Sequence, residues 1–184
     1  EPGSKQLFIW GSHVGKVPLW KQWKAALHHA VDRHCMLSCF EFTPSQMESH
    51  WRSLERYRPE VIVAYTNPLY EFSRFLKDRN YHPHVSRSII VGAEKLHDFQ
   101  RQLIEEVFQV PVFETYGSRE VMLIGAECEQ HSGLHLSMEN LIVEILDDAG
   151  QPTPVGEEGN VVITDLFNHG MPFIRYVNGD RAIA

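Results

Sequence analysis

Two short segments hold the residue types that nucleotide chemistry needs. Residues 116–120 read Tyr116-Gly117-Ser118-Arg119-Glu120, an aromatic plane, a flexible backbone turn and a carboxylate in immediate succession. Residues 171–180 read Met171-Pro172-Phe173-Ile174-Arg175-Tyr176-Val177-Asn178-Gly179-Asp180, which sets a carboxylate behind a glycine. An aromatic face accepts a base without reading its edges, and a carboxylate holds a hard cation that prefers oxygen ligands. An exposed tight turn ending in an acid can bond the vicinal hydroxyls of a ribose. Both segments are therefore candidates for one nucleotide site.

The elements that must carry them follow from hydrophobic periodicity. From residue 7 to residue 115 short apolar runs alternate with helical patterns, the order of β-α repeats over a largely parallel sheet. Leu7 to Trp10 reads as the first strand, residues 19–33 as a helix with Trp20, Trp23, Leu27 and Val31 on one face, and Cys39 to Phe42 as the second strand. Thr43, Pro44 and Gln46 give a Thr-x-x-Gln helix start, ahead of a stripe of Met47, Trp51 and Leu54. Val61 to Ala64 is a strand, Asn67-Pro68 opens a helix with Leu69, Phe72 and Leu76 inward, and Ser88 to Val91 is the next strand. A helix from Lys95 to Phe108 should bury Leu96, Phe99, Leu103, Ile104 and Val107, and the strand Val112 to Glu114 then delivers Tyr116 and Gly117 beyond its C-terminal end. Ligands of open α/β sheets gather beyond those ends, and Gly92-Ala93-Glu94 follows the neighbouring strand in the same way. After residue 120 the pattern becomes β-rich, with strands over Met122–Ala126, Asn140–Leu146 and Asn160–Leu166. This divides the chain into an α/β unit over residues 1–120 and a β-rich unit over residues 121–184.

Composition removes several function classes. The hydrophobic fraction of 43% and charged fraction of 22% argue for a folded chain rather than a disordered one. A net charge of -7 argues against a nucleic-acid surface, which needs clustered Lys and Arg. No apolar run is long enough for a membrane span. Three cysteines, Cys35, Cys39 and Cys128, make a poor disulfide framework and suit reduced thiols in the cytoplasm.

Gly92-Ala93-Glu94, Tyr116-Gly117-Ser118-Arg119-Glu120 and the segment from Arg175 to Asp180 occur in that order. In this the chain resembles the adenylate-forming (AMP-binding) enzymes, on the branch of phenylacetate-CoA ligase and its capsule-biosynthesis relatives of the CapK type. Gly133-Leu134-His135, Val143-Glu144-Ile145, the run Gly156 to Gly159 and the run Val162 to Leu166 are similar to that branch as well. The resemblance covers nearly the whole chain and is strongest from Ile89 onward. It implies a partial adenylate-forming ligase fold, with β-α repeats over a mostly parallel sheet followed by a smaller β-rich unit.

The same resemblance implies the roles. Gly92, Ala93, Glu94, Glu114 and Thr115 would flank an adenine on which Tyr116 stacks. Gly117, Ser118 and Arg119 would lie along the phosphates, Glu120 would help hold Mg²⁺ at the triphosphate, and Asp180 would bind the ribose. The parent protein would join a carboxylic acid to ATP, release pyrophosphate and pass the acyl-adenylate to CoA. The family's phosphate loop normally precedes this region and a lid with a catalytic lysine normally follows. The chain is therefore expected to be part of the large N-terminal domain of a longer ligase and inactive alone. The alternative is a non-catalytic nucleotide-binding or scaffold module.

Several residues leave alternatives open. The family's motif has Thr before the Glu where this chain has Arg119, which can bind phosphate as a charged donor or turn away into an ion pair. Val177-Asn178 stands where relatives often carry Arg-Thr. Arg175 can orient Asp180 or reach the phosphates, or be tied to a carbonyl or carboxylate, the slightly weightier reading. Gly11-Ser12-His13-Val14-Gly15-Lys16 is one residue short of a phosphate loop, and Val17 replaces its Ser or Thr. A strand-to-loop turn accounts for it better. Cys128, His131 and His135 have zinc spacing but no clear fourth ligand, so a solvated turn with an inert Cys outweighs zinc. His13, His28, His29 and His34 lack a catalytic partner pattern.

Overall fold

The computed structural model describes residues 3–11, 33–40 and 43–184. Most of the expected helix over residues 19–33, and all but Gly11 of the glycine segment over residues 11–16, fall outside these residues.

A parallel sheet begins with β1 (Gln6–Trp10), β2 (His34–Ser38), β3 (Val61–Tyr65), β4 (Ser88–Gly92) and β5 (Val112–Ser118). Three helices intervene: α1 (Pro44–Tyr57), α2 (Thr66–Asp78) and α3 (Asp98–Phe108). Then β6 (Met122–Glu127) and β7 (Leu134–Leu136) add antiparallel strands, giving seven in the order β2-β1-β3-β4-β5-β6-β7. A separate three-stranded antiparallel sheet has the order β10-β9-β8, from β8 (Leu141–Leu146), β9 (Glu158–Asp165) and β10 (Tyr176–Ile183). The change of texture near residue 121 is thus a change from parallel to antiparallel pairing within one sheet. The second sheet starts only at Leu141.

Strand alternation sets one face of the large sheet into the core. Leu7, Ile9, Ile62, Ala64, Ile89 and Val91 are fully buried there, against Leu54 of α1, Leu69, Phe72 and Leu76 of α2 and Ile104 of α3. Each such aliphatic or aromatic side chain contributes about 1.5–3 kcal/mol on burial. α1 starts as the sequence implied: Pro44 occupies its first turn, and the Thr43 hydroxyl accepts from the Gln46 N–H at 3.4 Å. It also buries His50, whose imidazole is pushed below its ordinary range because burial disfavours the cation.

Two elements differ from the sequence reading. The second strand is His34–Ser38, in parallel register with Gln6 to Trp10, and Cys39 and Phe40 lie beyond it; the rest of the expected strand Cys39 to Phe42 falls outside the described residues. His34-Cys35-Met36-Leu37 also suits the end of a helix, but pairing with β1 wins, while Phe40 lies exposed after the strand. α3 starts at Asp98, not Lys95, because the Leu96 N–H is held by Glu114 Oε1 at 2.8 Å outside any helix. Phe99 is consequently 57% exposed, and Gln100 takes the inward position. Its amide is satisfied there by Asn67 Oδ1 at 2.8 Å and the His97 N–H at 3.0 Å.

A second core lies between the sheets, made of Val121, Ile124, Leu141, Val161 and Ile163, with Tyr116 and Phe173 packed against it. A bulge creates it: Tyr116 pairs with Gly125 and Gly117 with Leu123, so Ile124 is the extra residue and is fully buried.

Candidate functional site

Tyr116 and Gly117 are expected at a turn, yet the structure keeps both inside β5, which runs on to Ser118. The tip of the hairpin is Arg119, Glu120 and Val121. Gly117 is required by close approach rather than by a turn, because a Cβ there would sit 2.3 Å from the Met122 carbonyl oxygen. Likewise Asn178 to Asp180 is no free turn but a bulge within β10. Val177 pairs with Val162 and Arg181 with Asn160, so the three residues between stand against Val161 alone. Gly179 supplies the left-handed backbone, at φ +91°.

These irregularities bring the two segments together. The Tyr116 hydroxyl donates to Asp180 Oδ2 at 2.7 Å across a separation of 64 residues. Asn178 Nδ2 donates to the Tyr116 oxygen at 2.6 Å and to Asp180 Oδ2 at 3.0 Å. Asn178 Oδ1 in turn accepts the Asp180 N–H at 3.0 Å. Burial, with the Asp180 carboxylate adding to it against the opposing Asn178 bond, pushes the Tyr116 phenol up to about 12.

Around this pair opens a cleft of about 430 Å³, walled by Ala93, Glu94 and Lys95 after β4, by Glu114 to Gly117 of β5 and by Asp180 to Ala182 of β10. The β4 loop is fixed from below. Thr66, fully buried, donates to the Glu94 carbonyl at 2.8 Å. Glu94 Oε2 accepts the Asn67 N–H at 2.9 Å and so satisfies a free donor in the first turn of α2. Thr115 Oγ1 donates to the Val91 carbonyl at 2.8 Å, and Gly92 lies so close that a Cβ would meet that hydroxyl at 2.7 Å. Ala93 holds φ +68°, a conformation uncommon outside glycine. Such conformations cluster where backbone approaches ligands.

Glu114 is held in a buried charge network. Its N–H donates to Glu127 Oε2 at 2.8 Å, and Glu127 receives both Arg101 Nη2 bonds, at 2.7 and 2.8 Å. Burial would raise the Glu127 carboxyl, but the Arg101 guanidinium, the Glu114 N–H and His131 outweigh it and hold it below its ordinary range. His131 lies 3.2 Å from Glu127 through Nδ1 and stacks on Phe113 at 5.3 Å. Among the described residues no three His, Cys, Asp or Glu side chains converge to hold a metal, and Cys128, His131 and His135, weighed in the sequence as zinc ligands against a solvated turn, form no cluster.

A second, more apolar cleft of about 390 Å³ meets the first at Ala93, Thr115, Tyr116 and Gly117. It is closed by Trp10 and Tyr65, whose rings lie 4.0 Å apart, and by Met122 and Leu123. Gly92, Ser118 and Arg119 line this cleft only, and Glu120 lines neither. Arg119 and Glu120 are exposed. Arg175 is tied to Glu144, at 3.1 and 3.3 Å, and does not reach Asp180. His34 packs edge-on against Phe8 in the sheet.

Sequence reading missed Asn178 as a partner of Asp180, Lys95 on the cleft wall, and the apolar residues Trp10, Tyr65, Met122 and Leu123. Only Lys95 had a signal, its place directly after Gly92-Ala93-Glu94. Asn178 bonds Asp180 two residues on within the bulge of β10, and the apolar residues are assembled by the folding of the sheet.

No protein-family model matches the chain. It is 29% identical over 133 residues to the phenylacetate-coenzyme A ligase of Thermus thermophilus, covering 69% of this chain and 30% of the ligase. It is 23% identical over 146 residues to the CapK protein of Staphylococcus aureus, covering 79% and 31%. The chain thus spans about a third of the length of these curated relatives. A solved structure of 2-hydroxyisobutyryl-CoA ligase, in complex with 2-HIB-AMP and CoA, superposes over 99% of this chain and 40% of its own. Its TM-score of 0.76 at 17% identity establishes the shared fold.

Proposed function

We propose that the Tyr116–Asp180 cleft binds the adenosine half of an acyl-adenylate, a reading supported by the chain's similarity to phenylacetate-CoA ligases and CapK. The protein to which it contributes would be an AMP-forming ligase that activates a small carboxylic acid with ATP and transfers it to CoA. The observation that carries this reading is the 2.7 Å bond between Tyr116 and Asp180 over one cleft. It brings to one cleft an aromatic face and a carboxylate, groups suited to a base and its ribose.

The residues divide the work by type. The Tyr116 ring offers its face to adenine, while the Ala93-Glu94 and Glu114-Thr115 backbones, fixed by the bonds above, bound the base edge. Asp180 accepts from the ribose hydroxyls. Lys95 stands exposed at the cleft as a cation for phosphate. The second cleft, with Trp10, Tyr65, Met122 and Leu123, is an apolar seat for the acyl group beside the α-phosphate. Fixed positions of this kind accelerate the reaction by orientation and by charge placed before the event.

Glu120 fits a magnesium ion brought in with a triphosphate. It is exposed and unpaired among the described residues, and Mg²⁺ commonly takes one or two protein carboxylates with substrate phosphates. The ion would neutralise charge on the phosphates. An acidic chain with free thiols at Cys35, Cys39 and Cys128 suits the cytoplasm.

Arg119, in place of the motif's usual threonine, favours a second reading in which nucleotide is bound without ligation. Titration calorimetry with AMP tests the site common to both readings. Tyr116→Ala should weaken AMP at least ten-fold, about 1.4 kcal/mol, and equal affinity would remove Tyr116 from the site.

A further inference from the structure

Asp180 does not enter the cleft as a free carboxylate. Its Oδ2 already receives two donors, the Tyr116 hydroxyl at 2.7 Å and Asn178 Nδ2 at 3.0 Å. Among the described residues no donor reaches its Oδ1. The two donors are themselves joined, since Asn178 Nδ2 also reaches the Tyr116 oxygen at 2.6 Å. At its other end Asn178 Oδ1 holds the Asp180 N–H at 3.0 Å. One amide thus fixes the backbone, one carboxylate oxygen and the phenol together.

The setting makes Asn178 hard to replace. It opens the bulge of β10, where Gly179 at φ +91° turns the chain and the strand no longer specifies where Asp180 points. Asn supplies two N–H donors and an acceptor on a short side chain. Thr offers a single O–H donor, and Asp offers none while adding a like charge. Only an amide at this reach can bond the phenol and Oδ2 while accepting the Asp180 N–H.

We propose that Asn178 is a positioning residue that divides the Asp180 carboxylate into a held oxygen and a free one, so that Oδ1 presents both its lone pairs to the vicinal hydroxyls of a ribose. This inference rests on the nucleotide reading of the cleft. A diol carries two O–H donors and Oδ1 has two acceptor positions, so the match is for a ribonucleotide over any sugar lacking those hydroxyls. The phenol bond also pins the edge of the Tyr116 ring and leaves its face for the base. Base stacking and ribose selection are thereby coupled through one hydroxyl.

The test compares AMP with 2′,3′-dideoxy-AMP by calorimetry on the wild type, Asn178→Ala and Tyr116→Phe, with thermal melts as a check of folding. The wild type should prefer AMP by about ten-fold, the scale of hydrogen bonds to a charged acceptor. Each variant should lower that ratio to about two or three, with AMP affinity falling further than dideoxy-AMP affinity. A general loss of structure would weaken both nucleotides alike and leave the ratio intact. Folded variants that keep the wild-type ratio overturn the proposal, as does a wild type that binds both nucleotides equally. Wild-type protein that binds neither nucleotide overturns the nucleotide reading itself. Tyr116→Phe keeps the ring and the bulge, so it decides the matter if Asn178→Ala does not fold.

Discussion

The phenol of Tyr116 is where stability and the proposed nucleotide site meet. It is packed against the second core, joined to Asp180, and pushed up to about 12 by burial first, with Asp180 adding to it against the Asn178 bond. A phenol near 10 in the unfolded chain and higher in the fold keeps its proton more firmly when folded. Its stabilisation is complete below about pH 10 and is lost as pH rises through the folded value. Nucleotide binding between about pH 6 and 9 should therefore be independent of this group. Phenolate absorbance of the wild type minus that of Tyr116→Phe should show a titration near 12. A difference curve centred at the ordinary tyrosine value would mean that the phenol is not buried as the fold places it. Asn178 shows why residue type alone misleads: in the sequence it is a departure from a motif, whereas in the fold it holds three of the site's polar groups in place.

Among the elements, the hairpin of β5 and β6 does the most positioning. Its bulge sends Ile124 into the second core, and Gly117 allows the strands to approach. Glu127 on β6 ties this hairpin to α3 through Arg101, with side-chain exposures of only 6% and 17%. Removing one partner of such a pair leaves a charge without its complement, so Glu127→Gln should cost about 3–5 kcal/mol near pH 7. Because the folded Glu127 carboxyl lies below its ordinary value, its stabilisation is present above about pH 4.3 and lost as pH falls through the folded value. Urea unfolding at a series of pH values should show the variant's deficit shrinking in acid. A deficit that stays constant down to about pH 3 would place the cost in packing instead of charge.

At the scale of the whole molecule, two sheets share one cleft, and the chain spans about a third of the length of its curated relatives. Binding and turnover should accordingly separate: the 184-residue chain is expected to bind AMP yet give no acid-dependent ATP–pyrophosphate exchange. Robust exchange would show that these residues suffice for adenylation. The sequence by itself determined the order of strands and helices wherever periodicity was strong, as in Leu69, Phe72 and Leu76 of α2. It also determined the three motifs and the family they resemble. It gave the wrong start for α3 and the wrong second strand, because local pattern cannot weigh a bond from Glu114, far along the chain, or pairing with β1. Tertiary structure alone decided that Tyr116 and Asp180 touch, that Arg175 serves Glu144, that Cys128, His131 and His135 do not converge, and that Asn178 holds the carboxylate. Those outcomes depend on strand register and bulges, which are set by contacts between residues distant in sequence, where one-dimensional spacing carries no distance information.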